Sequence, residues 1–276
     1  MTRCQLPLGP TALTEGYTYT EAMNHLCQKV LEGVNNDSNP QPEYDQIIAH
    51  TIDVESLRQR VRPELRLMEA CKTVQDRLQH YAIILHTSFV VSVLCRPALR
   101  RGAIATIDAT QKRILADKCK QNLKETVRMY LKMHSLSVIP TRSWAFTYHG
   151  LSSAVLLGIL GETRTNPEVR ELQGDLISAL SATAARENTS TGLPGSDKDI
   201  ELSGPLSRAL VALKNIYDHG WVVERKSAPT PAPQVIQEQD QGYFEQKNAA
   251  IAMASMQNGL MPPYVPLTRP STSQLL

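Results

Sequence analysis

The side chains in this sequence best suited to bind a metal or attack a substrate are seven histidines and five cysteines. No two histidines are four positions apart, so the pair of zinc ligands that one helix commonly offers is excluded by spacing. The cysteines are odd in number and never closer than 23 positions, so neither a zinc knuckle nor a disulfide framework is predicted. We therefore expect no metal, no cofactor and a reducing, intracellular compartment. The histidines are His25, His50, His80, His86, His134, His149 and His219, and the cysteines are Cys4, Cys27, Cys71, Cys95 and Cys119.

Nucleotide-binding and nucleophile motifs are missing from the sequence. It contains neither the glycine-rich phosphate loop nor the dinucleotide-binding glycine pattern. The segment Gly150-Leu151-Ser152-Ser153-Ala154 lacks the second glycine of a nucleophile elbow and lies inside a helical pattern, so Ser152 and Ser153 are predicted to pack between helices. No catalytic residue is predicted, and we expect a protein that is not an enzyme. An all-α enzyme with an unrecognised site is the less favoured alternative.

One polar group, His86, lies within the most apolar stretch of the chain, residues 81–95. It is either a core histidine bonded to a neighbouring turn or part of the lining of a small-molecule pocket. Cys95 presents the same choice, with buried packing favoured. Trp144 and Tyr148 open a second apolar segment, and we expect an effector pocket around His86, Cys95, Trp144 and Tyr148. The alternative is that these four side chains simply pack in the core.

The elements that must position these residues are helices. Hydrophobic residues make up 42% of the chain but aromatic residues only 5%, and no alternating strand pattern of useful length occurs, so an all-α, multi-helix fold is predicted. Residues 81–95 and 151–160 lack a polar face, which places them at the centre. Helices are predicted over residues 19–34, 44–60, 68–95, 108–135 and 143–160, and from Asn166 and Ser203 onward. Residues 81–95 fall short of the ~20 apolar residues that span a bilayer, so a buried helix is predicted there.

Local signals mark several helix ends and faces. Thr18 with Glu21 forms a capping-box pattern, Asp108 can cap the fourth helix, and Asn166 precedes a proline at the first helical position. Two of the predicted helices have a clear apolar face, and the fifth is predicted to be central. The first helix carries Met23, Leu26, Cys27, Val30, Leu31 and Val34, and the fifth carries Trp144, Tyr148, Leu151, Val155 and Ile159.

The chain divides into three parts by composition. Residues 1–16 form an N-terminal extension and residues 17–226 a helical domain. Residues 227–276, which contain the alternating Pro229, Pro231 and Pro233, are predicted to be a linker and a disordered tail.

Positive charge is concentrated between residues 57 and 142, which hold 17 Lys and Arg against 6 Asp and Glu. Lys120, Lys124, Arg128 and Lys132 form a basic line along the fourth helix. A solvated helix face is the favoured interpretation, because exposed aromatic residues for base stacking and any recognisable DNA-binding module are missing. The chain is therefore not expected to bind specific DNA.

Residues 76–101 resemble the long core helix of the fungal-specific transcription factor domain, the regulatory region that follows the zinc binuclear cluster in fungal transcription factors. Arg96, Pro97 and Leu99 match the Arg-Pro-apolar end of that helix, and Trp144 matches the start of a later apolar helix. Cys95 departs from the histidine that the family often has there. The zinc cluster itself is missing, because its six closely spaced cysteines cannot be assembled from these five. Since residues 17–34 already resemble a helix from the middle of the family domain, we expect the N-terminal side of that domain not to be included.

The resemblance implies a transcription regulator of a metabolic or secondary-metabolite pathway. Its helical domain is expected not to bind DNA itself and to modulate transcription through a partner. The partner expected is a second copy of the chain or a zinc-cluster transcription factor, the expected location is the nucleus or else the cytoplasm, and a small-molecule effector is expected. No membrane association is expected. The alternative from another class is a helical interaction scaffold with no role in transcription.

Overall fold

The computed structural model describes residues 16–35, 43–99, 107–187 and 204–219. In this part 89% of the residues are helical and no strand occurs beyond one bridge between Tyr17 and Val61, so the all-α prediction is confirmed. The extension before Gly16 and the tail 227–276 lie outside the described residues. Seven described helices have 16 or more residues: α1 (Tyr19–Asn35), α2 (Tyr44–Arg60), α3 (Val74–Cys95), α4 (Ala109–Leu136), α5 (Trp144–Ile159), α6 (Pro167–Glu187) and α7 (Gly204–His219).

Shorter helical turns connect the long helices. They are Pro63–Arg66, Met68–Ala70, Arg96–Leu99, Ile139–Arg142 and Gly161–Arg164. The turn Arg96–Leu99 contains the Arg-Pro motif, and it follows α3 directly.

Three of the predicted N-terminal caps are confirmed. The Thr18 amide donates to Glu21 Oε2 over 2.8 Å, and the Glu21 amide donates back to Thr18 Oγ1 over 3.3 Å. Asp108 Oδ1 accepts from the Thr110 amide over 2.7 Å. Asn166 likewise accepts from an amide in the first turn of α6. These interactions join residues at most three positions apart, so the local sequence determines them.

The predicted start of the third helix at Met68 is wrong. Only Met68–Ala70 forms a short turn there, and α3 begins at Val74. Thr73 and Asp76 form a second capping box: the Asp76 amide donates to Thr73 Oγ1 over 3.0 Å and the Thr73 amide donates to Asp76 Oδ2 over 2.9 Å. This cap fixes an extended residue before α3 and separates it from the preceding turn.

The core is built on α3 and α4, which pack against each other more extensively than any other described pair. They run antiparallel, since Lys132 lies over the Tyr81 ring while Cys119 contacts the Ser92 carbonyl. On another side of α4 lies α5, whose residues 150–159 are all buried. Most residues of the two segments predicted to be central are therefore buried in the core, although Val93 of α3 is 42% exposed.

Only part of the predicted apolar face of α1 is covered. Ala22 and Leu26 are buried, whereas Val30 is 39% exposed, Leu31 is 61% exposed and Cys27 is exposed. The periodicity identified the apolar side of this helix correctly. Its second half carries apolar residues that the described neighbours do not cover.

One described helical stretch, Val74–Leu99, is long and apolar enough to cross a membrane on length and composition alone. It exceeds residues 81–95 because the capped first turns and the Arg-Pro turn extend it. More than half of its most apolar window is buried among the other helices, as in the core helix of a globular domain.

Two polar residues in α3 are explained by a buried arginine of α2. Arg58 Nε donates to Thr87 Oγ1 over 2.7 Å, and Nη2 donates to Ser88 Oγ over 2.8 Å. Burial lowers the pKa of Arg58, because partial removal from water disfavours the charged guanidinium. The hydroxyl groups inside this apolar helix thus join α2 to α3.

Candidate effector site

Six aromatic rings meet where α3 packs against α5, and we call them the ring cluster. They are His86 and Phe89 of α3, with Trp144, Phe146, Tyr148 and His149 of α5. The centre of the cluster is His149, whose ring stacks on Phe89 at a centroid distance of 3.8 Å and meets the edge of His86 at 5.1 Å. The His86 ring also lies 4.9 Å from that of Phe146.

Helical spacing brings these rings together. His86 and Phe89 are three residues apart, which puts them on one face of α3, and Arg96 follows Phe89 by two turns. On α5, the segment 144–149 contains four rings in six positions, in a chain that is only 5% aromatic. That local enrichment was the sequence signal for Phe146 and His149, which the predicted pocket omitted.

Trp144 and Tyr148 form the outer part of the cluster. Their rings are parallel within 9° at a centroid distance of 5.0 Å, and Tyr148 lies edge-on to Phe89 at 6.0 Å. Trp144 is 44% exposed, so the expectation that it begins a buried face is wrong. It lies at the first position of α5, where the neighbouring helices no longer surround the side chain.

The structure does not bring Cys95 to this cluster. Nine residues separate it from His86, which is half a turn out of phase on a helix, so the two side chains lie on opposite sides of α3. Cys95 is completely buried close to Cys119 of α4. Burial raises the pKa of Cys95 to about 11 and that of Cys119 to about 12, so both thiols stay protonated and unreactive at neutral pH.

Arg96 completes the site, although the sequence identified it only as part of the family motif. Its guanidinium carbon lies 5.3 Å from the centroid of the Phe89 ring. The Nε and Nη2 atoms of Arg96 are buried and have no hydrogen-bond acceptor among the described residues. His149 Nδ1 and Ser153 Oγ are also buried and have no hydrogen-bond partner among these residues. Folded proteins leave few buried polar atoms unpaired, so this concentration in one region is unusual.

The two histidines of the cluster are electrically neutral at physiological pH. Burial lowers the pKa of His86 to about 4. The pKa of His149 falls to about 3, mainly through burial and then through the electrostatic influence of neighbouring His86 and Arg96. The cluster therefore contains one permanent charge, that of Arg96, surrounded by neutral rings.

His80 differs from His86 in its surroundings. Its Nδ1 donates to the Leu65 carbonyl over 2.7 Å, so it is the core histidine bonded to a neighbouring turn. His86 instead faces the rings of Phe146 and His149. The His86 ring is therefore packed against two rings of α5, an arrangement that both interpretations of this residue allow.

The basic line of α4 is paired with acidic residues rather than freely solvated. Lys124 Nζ lies 2.8 Å from Glu168 of α6, and Arg128 binds the same carboxylate. Lys120 pairs with Glu162 in the turn before α6, and Lys132 lies over the Tyr81 ring. The line therefore joins α4 to its neighbours and presents less free positive charge than the sequence suggests.

Two further features of the described residues lie apart from the ring cluster. A cavity of about 450 Å³ opens between the N-terminal half of α4 and the turns at Leu99 and Glu162, and Lys112, Arg113 and Lys120 are among its lining residues. No group of three or more potential metal ligands occurs in the described part. The four residues predicted to line one pocket do not line this cavity.

The geometry thus defines a ring cluster with one buried arginine and two neutral histidines between the two most apolar helices. Comparison with known proteins gives no match, since no family model, no curated protein and no solved structure is significantly similar to this chain.

Proposed function

We propose that this chain is a regulatory helical domain of the fungal transcription factor type, which acts in the nucleus through a protein partner and does not read DNA sequence itself. The observation that carries the proposal is the group of unpaired buried polar atoms at the ring cluster. The residues that carry the family resemblance, Arg96 and Trp144, belong to this same region. A purely structural core would pair or replace such atoms.

The ring cluster is well placed to change how the domain packs. It joins α3, which packs on α4, to α5, which packs on α4 and α7. An effector that binds one arrangement of these helices more tightly would shift the population toward it. The changed surface is then presented to the partner, either a second copy of the chain or a zinc-cluster transcription factor.

The pairing of the basic line supports regulation without sequence-specific DNA binding. Lys124 and Arg128 are both engaged by Glu168, and sequence readout needs side chains presented to base edges. An electrophoretic mobility assay at physiological salt should show no complex with a defined duplex that survives competitor DNA. A specific, competitor-resistant complex would contradict this part of the proposal.

An enzymatic role is less well supported by the same residues. His86 and His149 have strongly lowered pKa values, but the main cause is burial rather than a carboxylate partner. A base whose pKa lies near 3 or 4 accepts protons poorly at neutral pH, so it suits general-base catalysis badly.

The test is a reporter assay with the full chain fused to a heterologous DNA-binding domain in a fungal host. We expect expression to differ from that given by the DNA-binding domain alone, and we expect His86→Leu to change this response. His50→Leu, on α2, is the matched control. The proposal is refuted if the fusion accumulates normally but leaves reporter expression at the level given by the DNA-binding domain alone. The scaffold alternative predicts this unchanged expression.

A further inference from the structure

The two unpaired nitrogens of Arg96 form one edge of its guanidinium. Nε and Nη2 point in nearly the same direction, and this is an edge with which arginine binds both oxygens of a carboxylate through parallel hydrogen bonds. Both atoms are buried and lack an acceptor among the described residues. Arg96 therefore offers the two parallel donors that bind a carboxylate, and no described residue supplies the carboxylate.

The electrostatic surroundings also favour an anion. Within the described part of the chain, the groups that act on the charge of Arg96 are Cys119 and Tyr148, and neither is a carboxylate. His149 lies close enough for the charge of Arg96 to affect it, and it is neutral. A buried charge without a counterion is costly, so an arriving carboxylate would gain both charge pairing and hydrogen bonds.

We propose that Arg96 binds the carboxylate of a small aromatic acid, whose ring packs among the side chains of the ring cluster. This inference rests on the proposed function, because it assigns a chemical class to the effector. Phe89 supports one face of the guanidinium and Tyr148 lies beside it, so the body of the ligand meets aromatic surfaces. Aromatic pairs contribute about 0.5–1.5 kcal/mol beyond the burial of their area.

Access to Arg96 explains why binding would alter the packing of α5. Since Nε and Nη2 are covered in this structure, a ligand reaches them only when a covering side chain moves. The stacked pair of Trp144 and Tyr148 lies at the outer side of the cluster, with Trp144 44% exposed. The ligand therefore selects an arrangement in which this pair is displaced, which couples its binding to the position of α5.

The test is calorimetric titration of the purified full chain with benzoate and with phenylacetate, using benzyl alcohol as the probe without a carboxylate. We expect saturable binding of at least one acid and none of the alcohol. Arg96→Lys keeps the charge but loses the paired edge, and Arg96→Gln loses both, so each should weaken binding by about tenfold or more. Arg77→Gln, an exposed arginine of α3, is the matched control and should bind as the original chain does.

Circular dichroism establishes that each variant is folded before titration, and Arg96→Lys serves alone if Arg96→Gln does not fold. The inference is overturned if neither acid binds the folded chain, if acetate binds as tightly as both aromatic acids, or if the Arg96 variants bind unchanged. These outcomes are independent of the reporter assay. Binding without a reporter response would refute only the proposed function, and a reporter response without binding would refute only the aromatic acid.

Discussion

Acidification should destabilise this protein through His86 and His149. Both have folded-state pKa values, about 4 and about 3, below the ~6.5 of an unfolded histidine. Between those values the unfolded chain binds protons that the folded chain excludes, so the free energy of unfolding falls as the pH is lowered. The stability that depends on these neutral imidazoles is complete above about pH 6.5 and is lost progressively below it.

The size of the effect follows from the separation of the pKa values. At pH 5 both imidazoles are still mostly neutral in the folded protein, whereas an unfolded histidine is almost fully protonated. Lowering the pH from 7.5 to 5 should therefore cost about 2 kcal/mol for each histidine and about 4 kcal/mol for the pair. Since each kcal/mol corresponds to roughly 2–4 °C in a domain of this size, the melting temperature should fall by about 8–16 °C from this pair.

Urea unfolding at pH 7.5, 6 and 5, followed by circular dichroism, measures this loss. His86→Phe and His149→Phe keep an aromatic ring in place and should each reduce the difference between pH 7.5 and pH 5 by about 2 kcal/mol. His50→Phe, which replaces a histidine outside the ring cluster, is the control with which the two cluster variants are compared. The reasoning is refuted if both cluster variants lose as much unfolding free energy between pH 7.5 and pH 5 as the original chain does. The comparison holds when the slope of the unfolding free energy against urea concentration is the same in all three proteins.

Three other outcomes are expected. Gly158→Ala should destabilise the fold by about 1–3 kcal/mol in thermal melts, because the added Cβ would lie 2.5 Å from Cγ2 of Ile216 and overpack the contact between α5 and α7; an unchanged melting temperature would show that this contact can relax. Trp144→Ala should cost less than the about 3–5 kcal/mol of a fully buried aromatic ring, since 44% of the side chain is exposed, and a loss in that range by urea unfolding would contradict its placement. Cys27 should react with a thiol reagent much faster than Cys119 when peptides are quantified by mass spectrometry, because Cys27 is exposed and burial raises the pKa of Cys119 to about 12; equal rates would contradict the burial of Cys119.

The features that sequence predicted well are those that neighbouring residues determine. The cap at Asp108 needs only the amides of the next turn, and the burial of most of residues 81–95 follows from an all-round apolar composition. The start of α3 was missed although its cap is equally local. Cys71 and Val74 continue the apolar spacing of α3 across the residues that separate it from the turn at Met68–Ala70. Periodicity alone therefore does not distinguish this turn from α3.

The candidate site was harder to predict because it depends on how helices cross. The rings of His86 and His149 are 63 positions apart in sequence and meet at 5.1 Å, and neither helix alone specifies which face of the other it will contact. Cys95 was included with His86 because both lie in the same apolar stretch, but helical phase places it on the other side. Arg96 was recognised from the motif, and only the structure showed that its edge is unpaired.

The order in which the helices pack also bears on how the chain matures during synthesis. Much of the packing joins helices that follow one another, α2 with α3, α3 with α4 and α6 with α7, so the chain has predominantly local topology. The antiparallel pair of α3 and α4 can therefore form as soon as α4 has left the ribosome. At about 5–20 residues per second, α5 follows roughly one to five seconds later. Until then Phe89 lacks its ring partners on α5, so the ring cluster is completed only when α5 has left the ribosome, and α6 and α7 add their part of the core afterwards.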